Sequence, residues 1–264
     1  MFNEVLIGAD PEVFVVNPDN EFISAGGMVS GTKDSPHLVN KGAVQVDGMA
    51  LEFNIEPAKN VTEFIANIET VYAQLREMIP PTLTFSDKCT AKFNEDYFKA
   101  RPQEEKVLGC ESDYNAYTGQ RNNHPNQNRP MRTAGGHIHI GWREPQPVDE
   151  DHEQHCRRVT KACDLFLGLP SVLFDDDSER RSMYGKAGAY RAKEYGVEYR
   201  TLSKAWLHDK KIQEFLYSNI EKMFESEEMW DYVQQREVID AINNSDKDSA
   251  KALLEMYGVP YLEK

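Results

Sequence analysis

Apolar residues recur at helical spacing most clearly over residues 60–79, where Val61, Phe64, Ile65, Ile68, Val71, Tyr72, Leu75, Met78 and Ile79 share one stripe. Asn60, with Glu63 three residues on, supplies an N-cap, and Pro80-Pro81 ends the helix. A second helix is predicted over 149–168, capped by Asp149 and interrupted near Gly168 and Pro170. From 209 to 257 the pattern is again helical, with a break at 243–245. Elsewhere the period shortens to two. EVLIGADPEVFVVN reads as a strand broken at 8–11, and the runs 44–46 and 50–55 meet through Asp47-Gly48, a dipeptide that favours tight hairpins. Residues 81–99 read as a strand and a short helix, and TAGGHIHIGW and VEYRTLS as further strands. The polar stretch 109–131 is expected to be a long loop, and RRSMYGKAGAYR a glycine-rich one. Strands interleaved with helices, without repeats or a low-complexity linker, predict an α+β chain. It is read as a single domain over 1–264, with a core of about 5–208 and a helical C-terminal extension over 209–264.

Composition narrows the class of protein. No apolar run approaches the roughly 20 residues of a membrane-spanning helix. The start of the chain lacks the basic and apolar regions of a secretory signal. Cys89, Cys110, Cys156 and Cys163 form no CxxC pair and read as reduced thiols of a cytoplasmic protein. A net charge of −14 opposes generic nucleic-acid binding but leaves room for a local basic patch. The acid-rich runs at 149–153, 174–179 and 225–228 read as solvated helix ends and loops.

The strands carry the candidate chemistry. Residues two apart on a strand share a face, which pairs Asp10 with Glu12, Glu52 with Asn54, His137 with His139, and Glu198 with Arg200. Each pair has an ordinary reading as well: a solvated strand end, a turn residue at Asp47, a surface ion pair. Together, acids, histidines and arginine on four polar faces point to a sheet that holds a ligand. Gly135-Gly136 would let that ligand approach the backbone. A carboxylate-rich set suits Mg²⁺ or Mn²⁺ better than zinc. Arg180, Arg181, Lys186 and Arg191 could hold a phosphate or a carboxylate on a loop that Gly185 and Gly188 make flexible; they also fit a solvent-exposed basic loop. On the 149–168 helix, His152, Cys156, Val159, Cys163 and Phe166 form one stripe, either a zinc site or buried thiols beside a surface histidine.

GADPE, DGMALEFNIEPA, AGGHIHIG and VEYRTLS, in this order, resemble the phage-type COOH–NH2 ligases of type 2, an amidoligase branch of the glutamine synthetase and glutamate–cysteine ligase fold. The resemblance runs from about Gly8 to Ser203, with little contribution from the C-terminal helices. It implies a curved, mainly antiparallel sheet around a funnel, with helices on the outer face, nucleotide entering one end and acceptor the other. It further implies ATP and Mg²⁺ (or Mn²⁺), and a host-cytoplasmic setting if phage-encoded. Asp10, Glu12, Glu52, His137 and Glu198 match the metal ligands, and Asp47 is a weaker candidate. His139 and Asn54 lie beside the nucleotide positions, while Arg200 and the 181–191 loop, with Arg181, Lys186 and Arg191, match positions holding phosphate or acyl phosphate. The implied reaction activates a carboxylate as an acyl phosphate and lets an amine displace the phosphate. Arg200 and Arg191 would stabilise the developing charge, and Asp47 would take the amine's proton. Asp10 stands where glutamine synthetases commonly have Glu, so this ligand reaches less far. Two other classes are compatible with the residues: a metal-dependent hydrolase or isomerase using HxH without nucleotide, and a non-catalytic phage structural protein.

Overall fold

The structure, a computed structural model, describes residues 5–107, 113–123, 128–230 and 235–262. Parts of the expected 109–131 loop, including Cys110, lie outside the described residues. The axis of the sheet is β1 (Leu6–Val16). It runs unbroken through residues 8–11, where the sequence predicts an interruption, because Pro11 occupies the last rung of one ladder, where a missing N–H costs little. Then follow β2 (Phe22–Ile23), β3 (His37–Val39), and a hairpin of β4 (Gly42–Asp47) and β5 (Ala50–Ile55). Asp47 pairs with Ala50 across a two-residue turn in which Gly48 takes φ 58°.

Next come α1 (Val61–Met78), β6 (Thr84–Ser86), β7 (Thr90–Lys92), α2 (Glu95–Ala100), α3 (Gln103–Lys106), β8 (Tyr114–Asn115), β9 (Met131–Thr133) and β10 (Gly136–Gly141). The second half holds α4 (Glu150–Cys163), α5 (Leu169–Phe174), α6 (Ser178–Met183), β11 (Ala189–Lys193), β12 (Gly196–Tyr199), α7 (Lys210–Glu225), α8 (Gln235–Asn244) and α9 (Lys247–Tyr257). The main path of a ten-stranded sheet is β3-β4-β5-β1-β10-β12-β11-β8, with β2 and β6 added on β1 and β7-β9 as a separate ladder. These pairings are antiparallel.

Helices cover one face of the sheet. Ile7, Ala9, Leu51, Phe53, Ile138, Ile140 and Val197 are buried in one core with Phe64, Ile68, Val71 and Leu75 of α1, Cys156 and Val159 of α4, and Leu216 and Ile220 of α7. Burying each large side chain contributes about 1.5–3 kcal/mol. Asn60 caps α1 by accepting from the Glu63 amide at 2.9 Å, and Asp149 caps α4 by accepting from the His152 amide at 2.8 Å. Near Gly168 the second helix does not break; a π turn over Asp164–Gly168 absorbs Pro170 and leads into α5. His152 is not a surface residue either. Its ring is buried, with Nε2 2.8 Å from the Lys193 carbonyl and 3.4 Å from Cys156 Sγ. The 174–179 run is only partly solvated, since Asp175 is buried against Arg181. Among the described residues no helix is long and apolar enough to cross a membrane.

Candidate active site

Register assembles the polar face. Asp10 stands opposite His137, His139 opposite Glu198, and Glu198 opposite Arg191. Glu12 stands opposite Glu52, and Glu52 opposite Gln45. Directly opposed residues lie on one face with Cβ atoms about 4.5–5.5 Å apart. Consecutive neighbours from β4 to β11 thus contribute one polar row, while Ile138, Ile140 and Val197 point into the core on the other face.

Contacts within the row are short. The Asp10 oxygens lie 3.2 Å from His137 Nδ1 and 3.1 Å from His139 Nε2. Glu198 pairs with Arg200, with Lys193 Nζ at 2.7 Å and with Arg191 Nη1 at 3.6 Å. Arg200 also reaches His137 Nδ1 at 3.2 Å and donates to Asp113 at 3.4 Å. Glu12 accepts from the Gly135 amide at 2.8 Å, and Glu52 accepts from Gln45 Nε2 at 2.6 Å. The Tyr195 hydroxyl lies 2.5 Å from His139 Nδ1.

These contacts sort the acids. Burial pushes the Asp10 carboxyl up, but His139 and His137 more than offset it and hold Asp10 well below the usual range. Glu198 is also lowered: burial opposes ionisation, and Arg200, with His139 and Lys193, overcomes it. The other acids go the opposite way. Burial and then Asp47 push Glu12 up to about 7, the Gly135 amide and Arg200 offsetting only part. Burial, followed by Asp10, Asp47 and Glu12, holds Glu52 well above the carboxylate range. Burial also raises Asp47, against Lys33 and Arg200. Burial and Arg200 lower His137, whereas at His139 burial is opposed by Asp10 and Glu198, which together raise it.

The face opens into two spaces. A cleft of about 890 Å³ is lined by Asp10, Glu52, Asn54, His139, Arg191 and Glu198 among others, and Lys193, Tyr195 and Trp142 join its wall. That volume is in the range of small-molecule sites. A smaller cavity of about 50 Å³ holds Glu12 and His137, with Phe14 and Met49 at its apolar side. Asp47 and Arg200 line both. The predicted set therefore divides across a shared wall.

Two candidates fall outside this arrangement. Arg181 is buried, its Nη2 3.4 Å from Asp175 and 3.3 Å from Ser171 Oγ, and it lines neither space. Lys186 is exposed and also lines neither. The basic stretch is not a flexible loop over a ligand: α6 takes its first part, β11 carries Arg191, and Gly188 underlies the Tyr117 ring. Arg180 lines the small cavity, but its guanidinium donates to the carbonyls of Ala134, Thr201 and Leu202. Gly135 and Gly136 make room for protein atoms instead of a ligand, since a Cβ would meet His137 Nε2 at 2.3 Å or the Trp206 Nε1 at 2.5 Å.

Sequence reasoning missed Gln45, Asp113, Lys193 and Tyr195. Gln45 was countable, because a turn at Asp47-Gly48 sets it opposite Glu52. Lys193 lies two residues from Arg191 and so on its face. Asp113 carries no local signal.

The donor set suits a hard divalent cation. Asp10, His139 and Glu198 each offer one atom, and these atoms lie within 4.8 Å of one another. Asp10 Oδ1 and Glu198 Oε2 are buried oxygens that complete no hydrogen bond, although His137 and Lys193 stand beside them as charge partners. With two carboxylates to one imidazole the set is dominated by oxygen, the donor balance that suits Mg²⁺ or Mn²⁺.

Comparison with known proteins bears on the family and the fold. Residues 128–256, just under half of the 264-residue chain, match the family described as Phage phiEco32-like COOH.NH2 ligase-type 2. The chain thus resembles the group that its motifs suggest. The matched stretch brings His137, His139, Arg191, Glu198 and Arg200, and it extends into the C-terminal helices, which the motifs leave out; Asp10, Glu12 and Glu52 precede it. The crystal structure of a bifunctional glutathione synthetase from Pasteurella multocida aligns with a TM-score of 0.51 at 11% identity. The alignment covers 98% of this chain and 49% of that one, so this chain spans about half the length of that protein, and the likeness is one of fold. No match is found among curated proteins.

Proposed function

We propose that this chain is an ATP- and Mg²⁺-dependent carboxylate–amine ligase that forms an amide through an acyl phosphate. The observation that carries the proposal is the convergence of Asp10, His139 and Glu198 within 4.8 Å, beside Arg191, Lys193 and Arg200, in a cleft large enough for a nucleotide. The matched family's name, a COOH.NH2 ligase, points the same way. A glutamine synthetase-like curved core, with the whole chain as one catalytic domain, belongs to the same reading. So does a cytoplasmic setting, which suits the buried free thiols of Cys89, Cys156 and Cys163.

A carboxylate is a poor electrophile, and phosphorylation gives its carbon a leaving group. Bound Mg²⁺ would neutralise the triphosphate and align the γ-phosphoryl group for in-line transfer. Asp10, Glu198 and His139 would hold the cation; Glu52 lines the same cleft, and Glu12 and His137 line the smaller cavity. Arg191, Lys193 and Arg200 face the transferring phosphoryl group and the tetrahedral carbon that follows. Asp47, on the wall between the two spaces, accepts the proton released by the attacking amine, and its raised pKa suits that role.

Melting in the presence of ATP and Mg²⁺ tests the reading. Ligand at one hundred times its Kd stabilises the folded state by about 2.7 kcal/mol, which raises the Tm by several degrees. Absence of any rise with ATP and Mg²⁺, together with a rise on zinc alone, removes the ligase reading.

A further inference from the structure

Along the cleft face of the two central strands, side chains change character from one end to the other. On β1 the order is Leu6, Gly8, Asp10, Glu12, Phe14, and beside it β10 presents Gly141, His139 and His137. At the far end Phe14 packs with Met49, Phe93 and Phe98 into a closed apolar cluster. At the near end the floor is bare, because Gly8 and Gly141 both line the large cleft.

Nothing in the protein itself requires these two glycines. Neither has a positive φ. A Cβ on Gly8 would meet the His139 Cβ at 3.5 Å, and one on Gly141 would meet the Tyr195 Cδ2 at 3.5 Å, both ordinary contacts. Gly135 and Gly136, by contrast, could not carry a Cβ without collision. Glycine within a strand is less stable than alanine, because it loses more backbone freedom on folding and packs no side chain. Gly8 stands opposite His139 and Gly141 opposite Leu6, so the two unforced glycines are diagonal neighbours on adjacent strands and keep a patch of cleft floor low. Trp142 lines the same cleft, its ring held against His152 and His155 at centroid distances of 5.7 and 5.1 Å. Leu6, Pro57 and Pro145 add an apolar rim.

We propose that the base of the nucleotide lies flat on the Gly8–Gly141 floor beside Trp142, with its phosphates reaching Asp10, His139 and Glu198. The proposal rests on the ligase reading and deepens it by assigning the nucleotide to the large cleft and to this end of it. Leu6 lies four residues from Asp10, about 13 Å along the strand at about 3.3 Å per residue. Base, sugar and phosphates then follow the order rim, glycines, acids. The smaller cavity, about 50 Å³, has no room for a ring, and two of its three arginines, Arg132 and Arg180, donate to backbone carbonyls.

Calorimetric titration with Mg²⁺ present tests this by comparing ATP with inorganic tripolyphosphate, on the wild type and on a Gly8→Ala, Gly141→Ala double variant. The methyl groups fit the protein, so the variant should melt no lower than the wild type. It should lose about tenfold or more in ATP affinity while binding tripolyphosphate within about twofold of the wild type. Equal ATP binding by variant and wild type, or an equal loss for both ligands, overturns the base assignment and leaves the ligase reading standing. If the wild type binds neither ligand, the ligase reading itself fails and the base assignment goes with it.

Discussion

On one bank of the cleft, β10, β12 and β11 set Glu198 among Arg200, Lys193 and Arg191, and Asp10 leans toward them between two histidines. On the other bank, β4 and β5 present Asp47 and Glu52 toward Glu12, with Gln45 as the hydrogen-bond partner of Glu52. Both banks are desolvated, and burial alone would favour protonation on each. The cation-lined bank nevertheless stays ionised, while the acid-lined bank moves toward the neutral form. Neighbouring charge therefore decides the outcome where burial is shared. In the proposed ligase, the first bank is a pre-formed anionic anchor. The second becomes fully ionised only when positive charge arrives.

The largest effect expected from this contrast is on Glu198. Glu198→Gln removes the anion shared by Arg200, Lys193 and Arg191, and breaking a buried pair in this way costs about 3–5 kcal/mol. ATP turnover should fall by about a thousandfold or more. Glu52→Gln puts a neutral amide where burial and the acidic neighbours already hold the carboxyl toward its neutral form, so the Tm should hold or rise, even though turnover drops. Thermal melting of the two variants in the same buffer decides the point. Equal destabilisation by both would erase the distinction between the banks.

A smaller effect appears in the pH dependence. Glu12 has a folded pKa of about 7 against an ordinary value of 4.5, so between these values the folded state holds a proton that the unfolded state has lost. Stability then falls as pH rises through that window, by on the order of 1–3 kcal/mol, and is flat above it. Glu198 behaves in the opposite sense. Its contribution is present above the unfolded value and lost only in strong acid, as pH falls through its lowered folded pKa. Mg²⁺ competes with protons for the acid bank, so it should stabilise the protein more at pH 8 than at pH 5. Melting curves across that range, with and without Mg²⁺, check the sign. A Mg²⁺ effect larger at pH 5 would show that the acid bank takes no part in cation binding.

Much of this arrangement was legible in the sequence because strand alternation is a local rule. Asp10 with Glu12, His137 with His139, and Glu198 with Arg200 share faces whatever the tertiary fold, and the Asp47-Gly48 turn fixes the register of the β4–β5 hairpin. Which strands neighbour one another is not local information. The placement of β1 between β5 and β10 comes from long-range packing, and it is this that splits Asp10 and Glu12 between two spaces. Glycines misled for a related reason. Gly135-Gly136 and Gly8 look equally open in sequence, yet the first two accommodate the His137 ring and the Trp206 indole, while Gly8 faces the cleft. The same limit applies to arginine. Arg181 reads as a phosphate ligand but is half of a buried pair with Asp175, and only the fold of α5 onto α6 shows it.

The smallest expected effect concerns the second basic residue that the sequence places near the phosphates. Lys186 lies between α6 and β11, in the same short stretch as Arg191, but its side chain is exposed and borders neither space. Its backbone does have a role, since its carbonyl accepts from Thr201 Oγ1 at 3.0 Å, and a side-chain replacement leaves that bond intact. Lys186→Ala should change stability by no more than about 0.5 kcal/mol and ATP affinity by no more than about twofold. Arg191, only five residues on, points at Glu198 in the cleft, and Arg191→Ala should weaken ATP binding clearly in the same titration. A loss at Lys186 as large as that at Arg191 would mean that this segment closes over the nucleotide in the bound state, and the two banks would then be only part of the site.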